Sequence, residues 1–463
     1  MPHHLVALAL LSAVATAGAS TVLPASPQVR APGPPGARWA APGAGAPRPE
    51  AALAPAPAPV TGAPGAGAPG AGAPSSGAEV AGGDAPQPGS RAPGPSASTS
   101  VATTTSSPAA PVPAGGAPTP APGPAGPSGP SVSICVGGTR FCVGGSVFIP
   151  YGASFYSSTA RAGIQSDPAG AVALARTQHL NTVRVVNWLS HNLQAQYSTP
   201  LAQATSDQFW TVADTFVADA EHAGLHAWLD LSDFKNLLLD TCTDPYAAPQ
   251  YPAWDAYVRF AAQRVNPRTG LAYGRDPDIL WVGFSGEPYP PGTWGPGPNP
   301  AGWPAACPSA LTYTTAELTA FFAHVEATWK RYSATLTMAG GLGYLNEANN
   351  GIDYRSIFAN PDNDICGFKT YGGMEAWLAT GTAFCATSLH KPSVNVEWGY
   401  QQTIGDAARA ADFQAQFDNN AAAGIAANFY WNAGYQVSPT GYDVDDATLC
   451  PLTVATIIRN APG

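Results

Sequence analysis

A (β/α)8 barrel is the fold this sequence predicts, and three observations point to it. Between Ser131 and the C-terminus, short apolar runs alternate with amphipathic stretches eight times, the rhythm of parallel strands joined by crossover helices. Two of those runs end in a glutamate, Glu287 and Glu397, at strand ends where such barrels place their chemistry. The competing doubly wound sheet usually carries a glycine-rich phosphate turn after its first strand. Here the glycine run Gly340-Gly341-Leu342-Gly343 follows the fifth strand and lacks a helix start.

The elements follow in order. Val132 through Cys142 reads as a small hairpin turning at Gly137-Gly138. Val147 to Ser154 is the first buried strand. Asp167-Pro168 opens a helix to about His179, with aspartate at the N-cap and proline at the first helical position. Thr182 to Val186 is the second strand. The next helix, Ser206 to His222, sets Trp210, Ala213, Val217 and Ala220 on one face, and Gly224 ends it. Leu225 to Leu231 is the third strand, Trp254 to Arg264 a helix, and Ile279 to Gly286 the fourth strand. Helix Thr315 to Tyr332, strand Ala334 to Ala339 and short helix Tyr354 to Ala359 continue the alternation. Ile365 to Thr370 is the sixth strand and Ser393 to Val396 the seventh. Helix Ile404 to Ala422 puts Phe413 and Phe417 on one side, strand Ala426 to Trp431 is the eighth, and Thr453 to Arg459 closes the chain.

Residues 1–130 read differently. Met1 to Ser20 holds an apolar core from Leu5 to Val14 and small-x-small sites at Ala15-Thr16-Ala17 and Ala17-Gly18-Ala19. It reads as a signal peptide over residues 1–19, too short for a membrane anchor, so secretion is expected. Residues 20–130 repeat Ala-Pro-Gly units and then turn Ser/Thr-rich. Such a linker buries too little apolar surface to offset its conformational entropy, so it is expected to be disordered. Residues 131–463 are the single folded domain, expected to work as a monomer.

The net charge is −10, and residues 1–130 balance Arg30, Arg38, Arg48 and Arg91 against Glu50, Glu79 and Asp84. The acidity therefore lies in the domain, which argues against nucleic acid as a partner. All seven cysteines lie there too, without a Cys-x-x-Cys pair. In an exported protein they read as disulfides rather than a metal site. The expected pairs are Cys135 with Cys142, Cys242 with Cys307 and Cys366 with Cys385, leaving Cys450 over. Asp443, Asp445 and Asp446 could hold calcium, but a solvated turn is the simpler reading, and no metal is expected.

Two strand-end glutamates are the raw material for glycoside hydrolysis by paired carboxylates. The motif around the first is wider than one residue. Gln263 to Leu280, with Arg264, Asn266, Thr269-Gly270, Tyr273 and Asp276-Pro277 in that order, resembles the approach to the acid/base strand in the β-mannanase branch of the cellulase-like glycoside hydrolase family 5. Further matches are Phe141 to Gly152, Asn181 to Arg184, Tyr371, Glu397-Trp398-Gly399 and Trp431. The resemblance implies a retaining β-glycosidase on β-linked polysaccharide, with no cofactor. In it Glu287 is the acid/base and Glu397 the nucleophile. It implies further that Arg184 lies beneath Glu397 and holds it anionic, that Tyr371 hydrogen-bonds the same carboxylate, and that Trp431 floors the reacting sugar. Trp188, Trp294, Trp303 and Trp377 are candidate platforms for neighbouring sugars.

Two departures stand out. Gly286 replaces the asparagine whose amide binds the sugar 2-hydroxyl. By strand alternation Ser285, beside Glu287, and Asn395, beside Glu397, are the candidate substitutes. Lys369 replaces a histidine two residues before the tyrosine, and an ammonium there favours an ionised neighbour, opposing an acid role for Glu287. Asn346-Glu347 spells the family's dipeptide but falls in a polar loop. Gly283-Phe284-Ser285-Gly286 misses the serine-elbow spacing. The leading expectation is a secreted endo-β-1,4-mannanase. A β-1,4-glucanase or exo-β-glycosidase on the same barrel, or a sugar-binding pseudoenzyme, are the alternatives.

Overall fold

The computed structural model describes residues 131–156, 167–189, 192–289, 291–292, 307–342, 351–371, 375–434, 441–444 and 448–462. The signal peptide and linker, Trp294, Trp303, Asn346-Glu347, Asp445 and Asp446 lie outside them.

A three-stranded antiparallel meander comes first: β1 (Val132–Ile134), β2 (Phe141–Val143) and β3 (Ser146–Phe148). The hairpin turns at Gly137 and Gly138, both at positive φ, which costs glycine little. The expected strand Val147 to Ser154 is in fact two elements, because Ile149-Pro150 separates β3 from the first barrel strand. Proline fixes φ and offers no N–H to a ladder.

Eight parallel strands form the barrel: β4 (Tyr151–Ser154), β5 (Thr182–Val185), β6 (His226–Asp230), β7 (Ile279–Gly283), β8 (Leu336–Met338), β9 (Cys366–Thr370), β10 (Ser393–Trp398) and β11 (Ala427–Tyr430). They pair in the order β8-β7-β6-β5-β4-β11-β10-β9, and a parallel bridge between Met338 and Ile365 joins the two ends. The predicted (β/α)8 barrel is what the chain builds. Inside it, Trp228, Leu280, Trp281, Met338, Val394, Val396 and Phe429 pack with Phe141 of the meander. Phe141 stacks on Trp281 at 5.1 Å and Phe148 meets His226, the first residue of β6, so the meander closes the end where the strands begin.

The helices pack outside against a second core. Asp167 caps α1 (Pro168–Thr177), accepting from the Gly170 amide at 3.0 Å with proline at the helix start, as expected. In α3 (Asp207–His222) the predicted face of Trp210, Ala213, Val217 and Ala220 is buried. Helices α5 (Tyr251–Gln263), α6 (Thr315–Lys330), α7 (Tyr354–Phe358), α9 (Asp406–Ala422) and α10 (Pro451–Arg459) match expected segments. Phe413 and Phe417 of α9 clasp Trp398. Three helices carry no clear sequence signal: α2 (Pro200–Ala204), α4 (Asp233–Asp240) and α8 (Glu375–Phe384). Of these α4 matters most, since it begins immediately beyond the end of β6.

The pairs Cys135–Cys142, Cys242–Cys307 and Cys366–Cys385 are disulfides, and Cys450 is buried outside them. Asp443 is buried, its carboxylate accepting from Asn432 Nδ2 at 2.6 Å, rather than lying in a solvated turn.

One irregularity decides which side chains reach the barrel's open end. Along β10, Asn395 pairs with Phe368 but Glu397 pairs with Lys369, so Val396 is an extra residue, a β-bulge. Alternation breaks there: Val394 and Val396 face inward, Trp398 faces the helices, and Glu397 is turned over the barrel mouth.

Candidate active site

Strand β5 supplies the base of the site. Arg184 is buried and lies over the Trp228 ring at 4.4 Å. Its Nη1 donates to Glu397 Oε2 at 2.6 Å and to Ser154 Oγ at 3.1 Å. Its Nε and Nη2 donate to Asp230 Oδ2, at the end of β6, at 3.0 and 2.6 Å. Burial alone disfavours the guanidinium charge, yet Asp230 and Glu397 outweigh it and push the Arg184 pKa up.

Glu397 is also held from above. Tyr371, just after β9, donates to its Oε1 at 3.0 Å. Lys369 Nζ lies 2.8 Å from its Oε2. Burial works to raise the pKa of this carboxyl, but Lys369 and Arg184 together win and hold it below the ordinary glutamate range.

The same ammonium reaches the other strand-end acid. Lys369 Nζ stands 2.6 Å from Glu287 Oε1, while Lys369 is only 3% exposed and the Glu287 side chain 27%. The two carboxylate oxygens are therefore no further apart than the sum of two ion-pair contacts. Glycine at 341 makes this possible, since a Cβ there would overlap the Lys369 stem and the Val396 methyl.

Gly286 sits at φ +56°, in the left-handed region, with its carbonyl accepting from the Gly341 amide at 2.8 Å. A Cβ would lie 2.9 Å from Ser232 Oγ and 3.2 Å from Arg184 Nη2. Ser232 and Arg184 thus occupy the space that a side chain at 286 would enter.

The structure thus gathers Glu287, Glu397, Arg184, Tyr371 and Lys369 at one end of the barrel. Half-buried Trp431, after β11, lies with its ring 5.6 Å from that of Tyr156, which follows β4. Four expected contacts do not form. Asn395 points outward across the bulge, donating to Thr370 Oγ1 at 2.8 Å and Asn420 Oδ1 at 3.0 Å behind the barrel wall. Ser285 is buried, only 1% exposed. Trp188 is fully buried edge-on to Trp210, leaving no ring face for a sugar. Trp377 packs edgewise on Tyr354 and Phe368 between β9 and the helices.

The sequence reading missed Asp230, Asp233 and Lys235. Lys235 of α4 donates from Nζ to the Ser285 carbonyl at 2.5 Å and lies 4.7 Å from the Tyr289 ring centre. Burial brings its pKa down to about 8, against the pull of Asp230 and Glu287. Asp233 is buried, accepts from the Leu189 amide at 3.2 Å, and has its pKa raised to about 8 by burial, with nearby Asp230 adding to the effect. The run Asp230-Leu231-Ser232-Asp233 at the end of the third barrel strand offered the same signal that singled out Glu287.

No family model matches this chain, and no curated protein matches it. Solved structures do. An endo-1,4-β-mannanase from Rhizomucor miehei aligns at 17% identity over 72% of this chain and 99% of its own, with TM-score 0.57. A glycoside hydrolase family 5 mannosidase from the same organism aligns at 14% over 72% and 96%, with TM-score 0.54. An endo-β-1,4-mannanase from Thermotoga petrophila aligns at 14% over 68% and 76%, with TM-score 0.53. At these identities the likeness establishes architecture, and the chain shares the fold of these solved structures.

Proposed function

We propose that the chain is a glycoside hydrolase of family 5, a retaining endo-β-glycosidase acting on β-1,4-mannan type polysaccharide and exported from the cell. The observation that carries this reading is the pair Glu287, beyond the end of β7, and Glu397, in the last residues of β10, both in contact with one ammonium. Their closeness suits the roughly 5–5.5 Å spacing of a double displacement rather than the ~6.5–9.5 Å that leaves room for water in an inverting enzyme.

The roles follow from surroundings. Glu397, with Arg184, Lys369 and Tyr371 on its oxygens, is held as the carboxylate that attacks the anomeric carbon. Glu287, the more exposed acid, protonates the leaving oxygen. It then takes a proton from the water that hydrolyses the ester. No step needs a metal or organic cofactor. The likeness in fold to two endo-1,4-β-mannanases favours mannan over glucan. The apolar h-region and three disulfides favour export. Among the described residues no helix is long and apolar enough to cross a membrane.

A sugar-binding protein without turnover is the second reading, favoured by the ammonium lodged between the two acids. Incubation with mannan, glucomannan and carboxymethylcellulose separates the readings. New reducing ends from mannan that vanish in Glu287→Ala support the proposal. Ends from cellulose alone reject the mannan assignment, and binding without new ends supports the second reading.

A further inference from the structure

We infer that Lys369 accompanies the negative charge as it passes from one glutamate to the other, and so makes the covalent sugar–enzyme ester a long-lived state. This rests on the double displacement proposed above. Lys369 is almost wholly buried and touches one oxygen of each acid, at 2.6 and 2.8 Å. Arg184 divides its contacts otherwise, between Glu397 and Asp230.

The charge can be followed through the first step. A Glu397 oxygen bonds to the anomeric carbon while the bond from that carbon to the leaving oxygen breaks, and the Glu287 carboxyl proton moves to that oxygen. Glu397 is now a neutral ester and Glu287 a carboxylate. The net charge is unchanged, but the negative end has crossed to the partner. Arg184 loses its anion at Glu397, whereas Lys369 exchanges its anion at Glu397 for one at Glu287 without moving. Its ion pair is therefore kept in the ester state, where that of Arg184 with Glu397 is lost.

The second step reverses the bonds. Water adds to the anomeric carbon, its proton goes to Glu287, and the electron pair of the ester bond returns to Glu397. To take that proton Glu287 must give up its charge-assisted contact with Lys369. The ester accordingly forms faster than it is cleared.

Stopped-flow release of dinitrophenolate tests this, using the full chain with 2,4-dinitrophenyl β-mannobioside and, in parallel, the β-cellobioside. Acid-quenched enzyme is weighed intact. The wild type should show a stoichiometric burst before the steady rate, and an added disaccharide mass. In Lys369→Met the burst and the adduct should fall by about tenfold or more, the scale of one charge-assisted hydrogen bond. Lys369→Arg should restore both in part. Steady hydrolysis by the wild type with neither burst nor adduct overturns the inference and leaves the hydrolase reading standing. So does a full burst in a Lys369→Met variant that melts like the wild type. Release from neither glycoside rejects the hydrolase reading and this inference with it.

Discussion

Asp230 accepts two hydrogen bonds from Arg184 on a single oxygen, from Nε at 3.0 Å and from Nη2 at 2.6 Å. Its other oxygen takes the Ser232 amide at 3.1 Å. The guanidinium is thereby fixed about its long axis, with Nη1 aimed at Glu397. Asp230→Asn keeps the shape and removes the charge. The expected cost in kcat/KM is about 1.5–3 kcal/mol, or roughly tenfold to a hundredfold. Steady-state kinetics check it, and an unchanged rate would show that Glu397 needs no such support.

The acid side of the pH profile depends on Glu397. Its pKa in the fold is depressed, because Lys369 and Arg184 outweigh its burial. A depressed carboxyl stabilises the fold above its unfolded value, and that contribution is lost as pH falls through the folded value. Activity and melting temperature should both persist below pH ~4.3, the ordinary glutamate value. In Lys369→Met the acid limb of kcat/KM should move up. A limb that stays put would mean Arg184 alone sets it.

Asp233 gives the opposite dependence. Its pKa is raised to about 8 by burial, helped by Asp230 and opposed by the Leu189 amide, Lys235 and Arg184. The folded state therefore holds a proton the unfolded chain has given up, and stability falls as pH rises from the ordinary aspartate value toward about 8. Asp233→Asn should flatten that fall, by an amount on the order of a few kcal/mol at most. Melting temperatures between pH 5 and 8 check it. A wild type and variant with parallel curves would place the proton elsewhere.

Gly341 makes room for the Lys369 stem. Gly341→Ala should displace the ammonium from both acids while leaving the barrel folded, at a cost of roughly 1–3 kcal/mol for overpacking. Its pH profile should then resemble that of Lys369→Met. A profile like the wild type would show that the stem can bend around a methyl group.

Much of this site was legible because β7 and β10 are short apolar runs that lead into acids, and a chain leaving a buried strand can carry a charge only where the barrel opens. What escaped was local register. A one-residue bulge at Val396 sends Asn395 behind the barrel wall and Glu397 over its mouth, and nothing in Ser393-Val394-Asn395-Val396-Glu397 announces the extra residue. Lys235 and Asp233 escaped for another reason. They lie on an eight-residue helix that is buried almost throughout, with Asp233, Lys235 and Asn236 as deep as Phe234 and Leu237 to Leu239, so no split into a solvated and a core face marks them out. Trp188 and Trp377 show the limit of composition: an indole is as useful to the outer core as to a sugar, and only the packing tells them apart.

The most direct test of the central claim is the anomeric configuration of the first product, followed by proton NMR during cleavage of a β-manno-oligosaccharide. Two acids sharing one ammonium predict that the β-anomer appears first and mutarotates afterwards, with no product from Glu287→Gln on the same timescale. An α-anomer appearing first would contradict the double displacement, and with it the reading of Glu397 as nucleophile.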